Sequence, residues 1–304
     1  MKSYRWMQAG LVFLMWLLLL ALPVKAASNG GMDVQQTGAS GRQVKLSWKR
    51  PGQAVRYKFY YKFASDKAYK HLKDVNASGQ NCAGTFTLPK AGRNYHIKIV
   101  PYDKKNKAGT ASQFKDCRTA PGKITLRSQK SYATSASMKV YWNAVESAQG
   151  YEFQVMDLYG GLVKRFKVEK KSSATLTGIS AGAFYHVRIR GYSRVGKKDF
   201  YGAASDTYIA QQPRVKFKWA SHCVVKAYWP AVEGAMSYTV YVSENPSRGF
   251  RKAATTFDRQ AFVPGLSRNR KYYAYVVANM RKGKKTYASP KTNYYTFRLQ
   301  MNED

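Results

Sequence analysis

One ten-residue pattern occurs twice without gaps, and it constrains the fold more than any bulk property of the chain. Trp142-Asn-Ala-Val-Glu-Ser-Ala-Gln-Gly-Tyr151 aligns with Trp229-Pro-Ala-Val-Glu-Gly-Ala-Met-Ser-Tyr238, both reading W-x-A-V-E-x-A-x-[GS]-Y. A looser copy, Trp48 to Tyr57, keeps the nine-residue step from Trp to Tyr, and the three tryptophans stand 94 and 87 residues apart. Self-similarity at a fixed period means an array of like units.

Each copy is flanked by alternating apolar residues. Val44 to Trp48, Met138 to Trp142 and Val225 to Trp229 precede it; Tyr57 to Tyr61, Tyr151 to Val155 and Tyr238 to Val242 follow. A period of two predicts half-buried strands, and 24 tyrosines suit strands better than helices. The Ala-Val-Glu segment carries too few turn residues for a tight hairpin, which predicts a crossing between two sheets.

A second landmark recurs downstream. Leu176 to Ile189 and Val263 to Val276 share one template around Tyr185 and Tyr272, and Leu88 to Ile99 offers a copy around Tyr95 that is one residue longer. The distances from tryptophan to this tyrosine are 47, 43 and 43 residues. A turn followed by Tyr and alternating aliphatics matches a tyrosine corner, in which the phenol bonds back to the preceding turn.

These residues resemble fibronectin type III domains: the buried Trp of the second strand, the Tyr opening the third, and the turn with Tyr that enters the sixth. The resemblance covers nearly all of the chain after residue 26, and the first unit diverges because it lacks the Ala-Val-Glu box. It implies an all-β fold of three tandem immunoglobulin-like antiparallel β-sandwiches over residues 27–120, 121–212 and 213–304. Its landmarks Trp48, Tyr57, Tyr95, Trp142, Tyr151, Tyr185, Trp229, Tyr238 and Tyr272 are then core residues. Members of the family act as spacers, adhesive units or binding modules, and the chain is similar to bacterial exported members. Pro121 and Pro213 mark the boundaries. The linkers are short and stiffened by proline, which predicts an elongated rod of three beads.

Residues 1–26 read as a cleavable signal peptide. Lys2 and Arg5 precede an apolar run from Ala9 to Leu22, and Val24-Lys-Ala26 supplies small residues before a cut. The run is short for a spanning helix, so a membrane enters only through an uncleaved anchor. A secreted or cell-surface protein is expected.

The net charge is +36, of which Lys2, Arg5 and Lys25 supply three. Residues 27–120 hold 18 basic and 5 acidic side chains, 121–212 hold 14 and 6, and 213–304 hold 17 and 5. Such a field attracts polyanions without specifying one. Solubility alone is the competing explanation. Basic residues concentrate where the loop between sixth and seventh strands belongs: Lys104, Lys105 and Lys107; Arg194, Lys197 and Lys198; Arg281, Lys282, Lys284 and Lys285. Basic residues also mix with aromatics over Arg56-Tyr-Lys-Phe-Tyr-Tyr-Lys62.

No nucleophile, metal-ligand or phosphate-loop pattern occurs, so no enzyme activity and no cofactor are expected. His96 and His186 follow corner tyrosines and point outward at equivalent positions. Three cysteines leave at least one thiol free or paired between molecules outside the cytoplasm. Cys82 and Cys117 fall toward opposite ends of the first sandwich, beyond disulfide reach, and the pairing of Cys223 stays open. Trp219 offers either exposed contact or packing between units. The expected partner is an anionic polysaccharide or cell-wall polymer, or an extracellular protein. Nucleic acid has only the charge in its favour, since no nucleic-acid-binding motif accompanies it. The alternative function is a passive spacer or protein-interaction subunit.

Overall fold

The computed structural model describes residues 31–131, 137–221 and 223–298; the segment 1–26 read as a signal peptide lies outside the described residues. Among those residues the regular elements are strands, paired into six antiparallel sheets.

The first unit comprises β1 (Gln35–Ser40), β2 (Gln43–Lys49), β3 (Arg56–Phe63), β4 (Lys70–Asn76), β5 (Asn81–Thr87), β6 (Asn94–Tyr102) and β7 (Ser112–Arg118). One sheet has the order β1-β2-β5 and the other β4-β3-β6-β7. The second unit comprises β8 (Leu126–Ser131), β9 (Ser137–Trp142), β10 (Gly150–Met156), β11 (Leu162–Glu169), β12 (Ser173–Thr177), β13 (Phe184–Val195), β14 (Lys198–Tyr201) and β15 (Ser205–Ala210). The third repeats it with β16 (Lys216–Ser221), β17 (Val224–Tyr228), β18 (Ser237–Ser243), β19 (Arg251–Thr256), β20 (Gln260–Val263), β21 (Lys271–Lys282), β22 (Lys285–Ala288) and β23 (Tyr295–Arg298). Their sheets run β12-β9-β8 with β11-β10-β13, and β16-β17-β20 with β19-β18-β21. Three β-sandwiches of the fibronectin type III kind result.

Alternation places the repeated aromatics inside. Trp48, Trp142 and Trp229 are 2%, 1% and 4% exposed, so they fill the cores rather than offer ligand platforms. Each indole meets the tyrosine nine residues on, with ring centroids 5.3, 5.1 and 5.4 Å apart. Such contacts add about 0.5–1.5 kcal/mol to burial.

The Ala-Val-Glu box has a bonding role. Val145 N–H donates to the Tyr151 hydroxyl (3.0 Å) and Val232 N–H to the Tyr238 hydroxyl (2.9 Å). The crossing between sheets contains a turn, closed by Ala148 N–H to Val145 O (3.1 Å) and Ala235 N–H to Val232 O (2.9 Å). In the first unit Ala54 N–H closes the same turn on Pro51 O (3.1 Å), while the Tyr57 hydroxyl turns to Cys82 Sγ (3.7 Å). The three tyrosine corners are present. Lys90, Ser180 and Ser267 donate their backbone N–H to Tyr95, Tyr185 and Tyr272, each five residues downstream (2.9, 3.2 and 2.8 Å).

The linkers are buried rather than exposed. Thr119, Ala120, Ala210, Gln211 and Gln212 are all 5% exposed or less. Ser193 Oγ donates to Thr119 O (3.3 Å), and Arg93 pairs with Glu146 across the first junction. At the second junction Phe184 N–H donates to Glu233 O (2.9 Å), Glu233 N–H to Gly182 O (2.7 Å), and the Phe184 ring enters the third unit's core. Gln212 Oε1 accepts N–H from Thr292 (3.1 Å) and Asn293 (2.8 Å). Rotation about either junction would expose apolar surface and break these bonds. Cys82 and Cys117 are free and buried at separate positions in the first unit, and Cys223 is free and half-buried.

Candidate polyanion-binding surface

The loop between sixth and seventh strands differs among the three units, correcting the expectation of equivalent cationic loops. In the first unit it is a true loop, residues 103–111. Asp103 Oδ1 accepts N–H from Lys105 (2.9 Å) and Lys107 (2.8 Å), which fixes the backbone and leaves the side chains of Lys104, Lys105 and Lys107 exposed. In the other two units the loop shrinks to two residues. β13 and β21 are each 12 residues long, and their far ends pair with the short strands β14 and β22. Gly196 and Gly283, at φ 57° and 59°, make the turns. Arg194, Lys198, Arg281, Lys282 and Lys285 therefore lie on strands, and only Lys197 and Lys284 occupy the bend.

These extended hairpins contact the preceding unit. Lys198 Nζ donates to Thr37 O of the first sandwich (2.8 Å), and Val195 packs on the first core. Ala288 O accepts from Gln129 of the second sandwich (2.8 Å), while the Tyr287 ring meets Tyr208 at 5.0 Å. The seventh strand must break for the hairpin to diverge. Gly202 marks the break in the second unit, where a Cβ would lie 2.2 Å from Pro121 O. Pro290, without an N–H, follows β22 in the third.

The charges are handled differently as well. Arg194 Nε donates to Asp199 (2.6 Å) and Arg194 also pairs with Glu169 (3.1 Å); Lys167 reaches the same Asp199 (2.8 Å). Burial by itself would raise the Asp199 carboxyl, yet Arg194 and Lys167 hold it below its ordinary value. On the same sheet face Glu152 pairs with Arg190 (2.7 Å), and Asp206 with Arg188 (3.0 Å) and His186 (2.8 Å). Arg194 and Lys198 are thus occupied in the second unit.

At the tip of the third unit the reverse holds. Lys282 lies directly opposite Lys285, with Lys284 at the turn and Arg281 beside them, all four exposed. Like charges opposed across strands are destabilising. Arg281 Nε reaches only the Gly283 carbonyl (3.2 Å), and no acidic partner to these four occurs among the described residues. This tip holds no carboxylate, and the first unit's loop sets three exposed lysines against the single carboxylate of Asp103.

His96 and His186 face outward as expected. Burial, then Lys62 and Lys115, hold His96 below its usual range, which reports a cationic surface in the first unit. Trp219 is 43% exposed. Among the described residues no three His, Cys, Asp or Glu side chains converge as a metal site would require.

No family model and no curated protein matches the chain. Among solved structures, the FN1–FN3 domains of chicken CNTN1 cover 90% of this chain and 98% of their own at 14% identity and a TM-score of 0.29. The two-domain fibronectin type III segment of chicken tenascin covers 60% of this chain and all of its own at 17% identity and a TM-score of 0.31. The strand order and the three tyrosine corners, not these superpositions, carry the fold.

Proposed function

We propose that this chain is an exported, non-enzymatic binding module that holds an anionic polymer, such as a cell-wall polymer or acidic glycan, through its cationic tips. The observation that supports this most is Lys282 set opposite Lys285 with Lys284 at the turn and Arg281 facing Thr286, where the equivalent pairs of the second unit are Val195 with Lys198 and Arg194 with the carboxylate of Asp199. A cluster kept without counter-charge costs stability unless an outside anion completes it. The fold itself is one that typically serves binding or structure rather than catalysis.

The test is a polyanion and glycan array probed with residues 27–304 at two salt concentrations. Binding should weaken steeply with salt, and Lys282→Glu, Lys284→Glu and Lys285→Glu together should weaken it further. Retention insensitive both to salt and to that triple change would overturn the proposal. The buried junctions favour a second reading, a stiff spacer whose partner is another protein. One stoichiometric protein partner with no polymer affinity would select it.

A further inference from the structure

The first sandwich carries a second basic surface, composed of residues from different strands. Alternation along β3 turns Tyr57 and Phe59 inward and Arg56, Lys58, Tyr60 and Lys62 outward. Register then brings β6 beside them: Arg56 opposite Tyr102, Tyr60 opposite Lys98, and Lys62 opposite His96. Tyr69, just before β4, closes the third side.

Cations and rings interlock across this face. Lys98 Nζ lies 4.9 Å from the Tyr60 ring centroid and 5.0 Å from that of Tyr69, and Lys62 Nζ lies 5.3 Å from Tyr69. Lys58 and Arg56 sit over Tyr102 at 5.1 and 5.3 Å. The long side chains are therefore laid down along the sheet instead of swinging in solvent, so less rotamer entropy is lost when they bind. One carboxylate interrupts the face: Asp74, held by His71 (2.8 Å) and Arg56 (4.0 Å). Positions two apart on a strand are spaced by roughly 7 Å, which gives a linear array of positive charge. At its end Arg56 Nη2 reaches Asn106 of the loop carrying Lys104, Lys105 and Lys107, and Tyr102, Asp103 and Lys107 line a shallow cleft of about 430 Å³, where Asp103 is a second carboxylate beside the track.

We infer that this face is the main binding track for an acidic polysaccharide, one with a carboxylate or sulfate on successive saturated sugars, running along β3 and β6 toward the 103–107 loop. The inference rests on the polyanion reading above and names its ligand class and seat. Single-stranded nucleic acid would need open ring faces for its bases to stack on. Here the faces of Tyr60, Tyr69 and Tyr102 carry ammonium or guanidinium groups. Those groups and the phenol rims suit a polymer of charges and hydroxyls without flat rings.

The experiment titrates residues 27–304 with polygalacturonate, dextran sulfate and poly(dT) at a series of salt concentrations. Lys58→Gln with Lys98→Gln should weaken polygalacturonate or dextran sulfate binding at least tenfold and lower the salt slope by roughly 1–2, with the melting temperature held within a few degrees as the check on folding. Tyr60→Ala with Tyr102→Ala, which keeps every charge but frees the lysines, should weaken binding less and leave the slope unchanged. If the Lys58/Lys98 pair has no effect while the Lys282/Lys284/Lys285 triple abolishes binding, the track is refuted and the general reading survives. If the parent chain binds neither polysaccharide, both fall. Poly(dT) bound more tightly than either polysaccharide at matched salt would also overturn the inference.

Discussion

Gly150 offers the sharpest test of the packing described above. The ten-residue box accepts Gly or Ser at its ninth position, Gly150 in one copy and Ser237 in the other, so Gly150→Ala looks innocuous in sequence. In the fold, Gly150 lies opposite Tyr192 on β13 and Glu169 on β11. A Cβ there would stand 2.3 Å from the Tyr192 hydroxyl, 2.5 Å from its Cζ and 2.7 Å from the Val168 carbonyl oxygen. Tyr192 is fully buried, its hydroxyl donates to Glu169 (3.2 Å), and the carbonyl is backbone. Neither side yields easily. Overpacking of this kind costs about 1–3 kcal/mol, and the backbone contact argues for the upper end. At about 2–4 °C per kcal/mol for the docked second and third units melting together, their shared transition should fall roughly 5–10 °C. Ser237→Gly, whose partner on β21 is Asn279, should cost at most about 1 kcal/mol. Differential scanning calorimetry of residues 27–304 reads both. Adding Tyr192→Ala to Gly150→Ala removes two of the three clashes, so the pair should cost less than the sum of its parts. A Gly150→Ala protein melting within about 2 °C of its parent would refute the close-approach argument.

Three further outcomes are expected. Phe184→Ala removes a second-unit ring from the third unit's core; it should cost about 3–5 kcal/mol and split the second and third units into separate melting transitions, where an unchanged single transition would deny the docking. Native protein should react with one equivalent of thiol reagent at Cys223 and three after unfolding, because Cys82 and Cys117 are buried and burial pushes the Cys117 thiol up; fast modification of Cys117 would contradict the core assignment. Burial, followed by the contact with Cys82, pushes the Tyr57 phenol up to about 12 from 10.0. Its folded value lies above the unfolded one, so its contribution is intact below pH ~10 and is lost as pH rises toward ~12, on the order of 2–3 kcal/mol. Tyr57→Phe should flatten that alkaline decline in a urea titration, and an identical decline in the variant would assign it elsewhere.

What could be read early and what could not divide along the range of the forces involved. Trp142, Tyr151 and Tyr185 were legible because a strand's period of two and a corner five residues long are local rules. The cationic loops were located correctly along the chain but not in their form. Nothing local to Ser193–Lys198 says that Gly202 must break the seventh strand beside Pro121, or that Lys198 will reach Thr37. The basic and aromatic run Arg56–Lys62 stood out in sequence. Its partners Tyr69, Lys98 and Tyr102 did not, because they arrive from other elements.

By itself, then, the amino-acid order determined that the chain is strands, in three like units, with three indoles and six phenols turned inward. Hydrophobic alternation acts between neighbours and needs no knowledge of the whole. Only the tertiary structure decided which cations are neutralised and which stand free. Arg194 meets Asp199 and Lys282 meets Lys285 through register across a hairpin, and an ion's energy depends on what lies within a few ångströms in space rather than on its position in the chain.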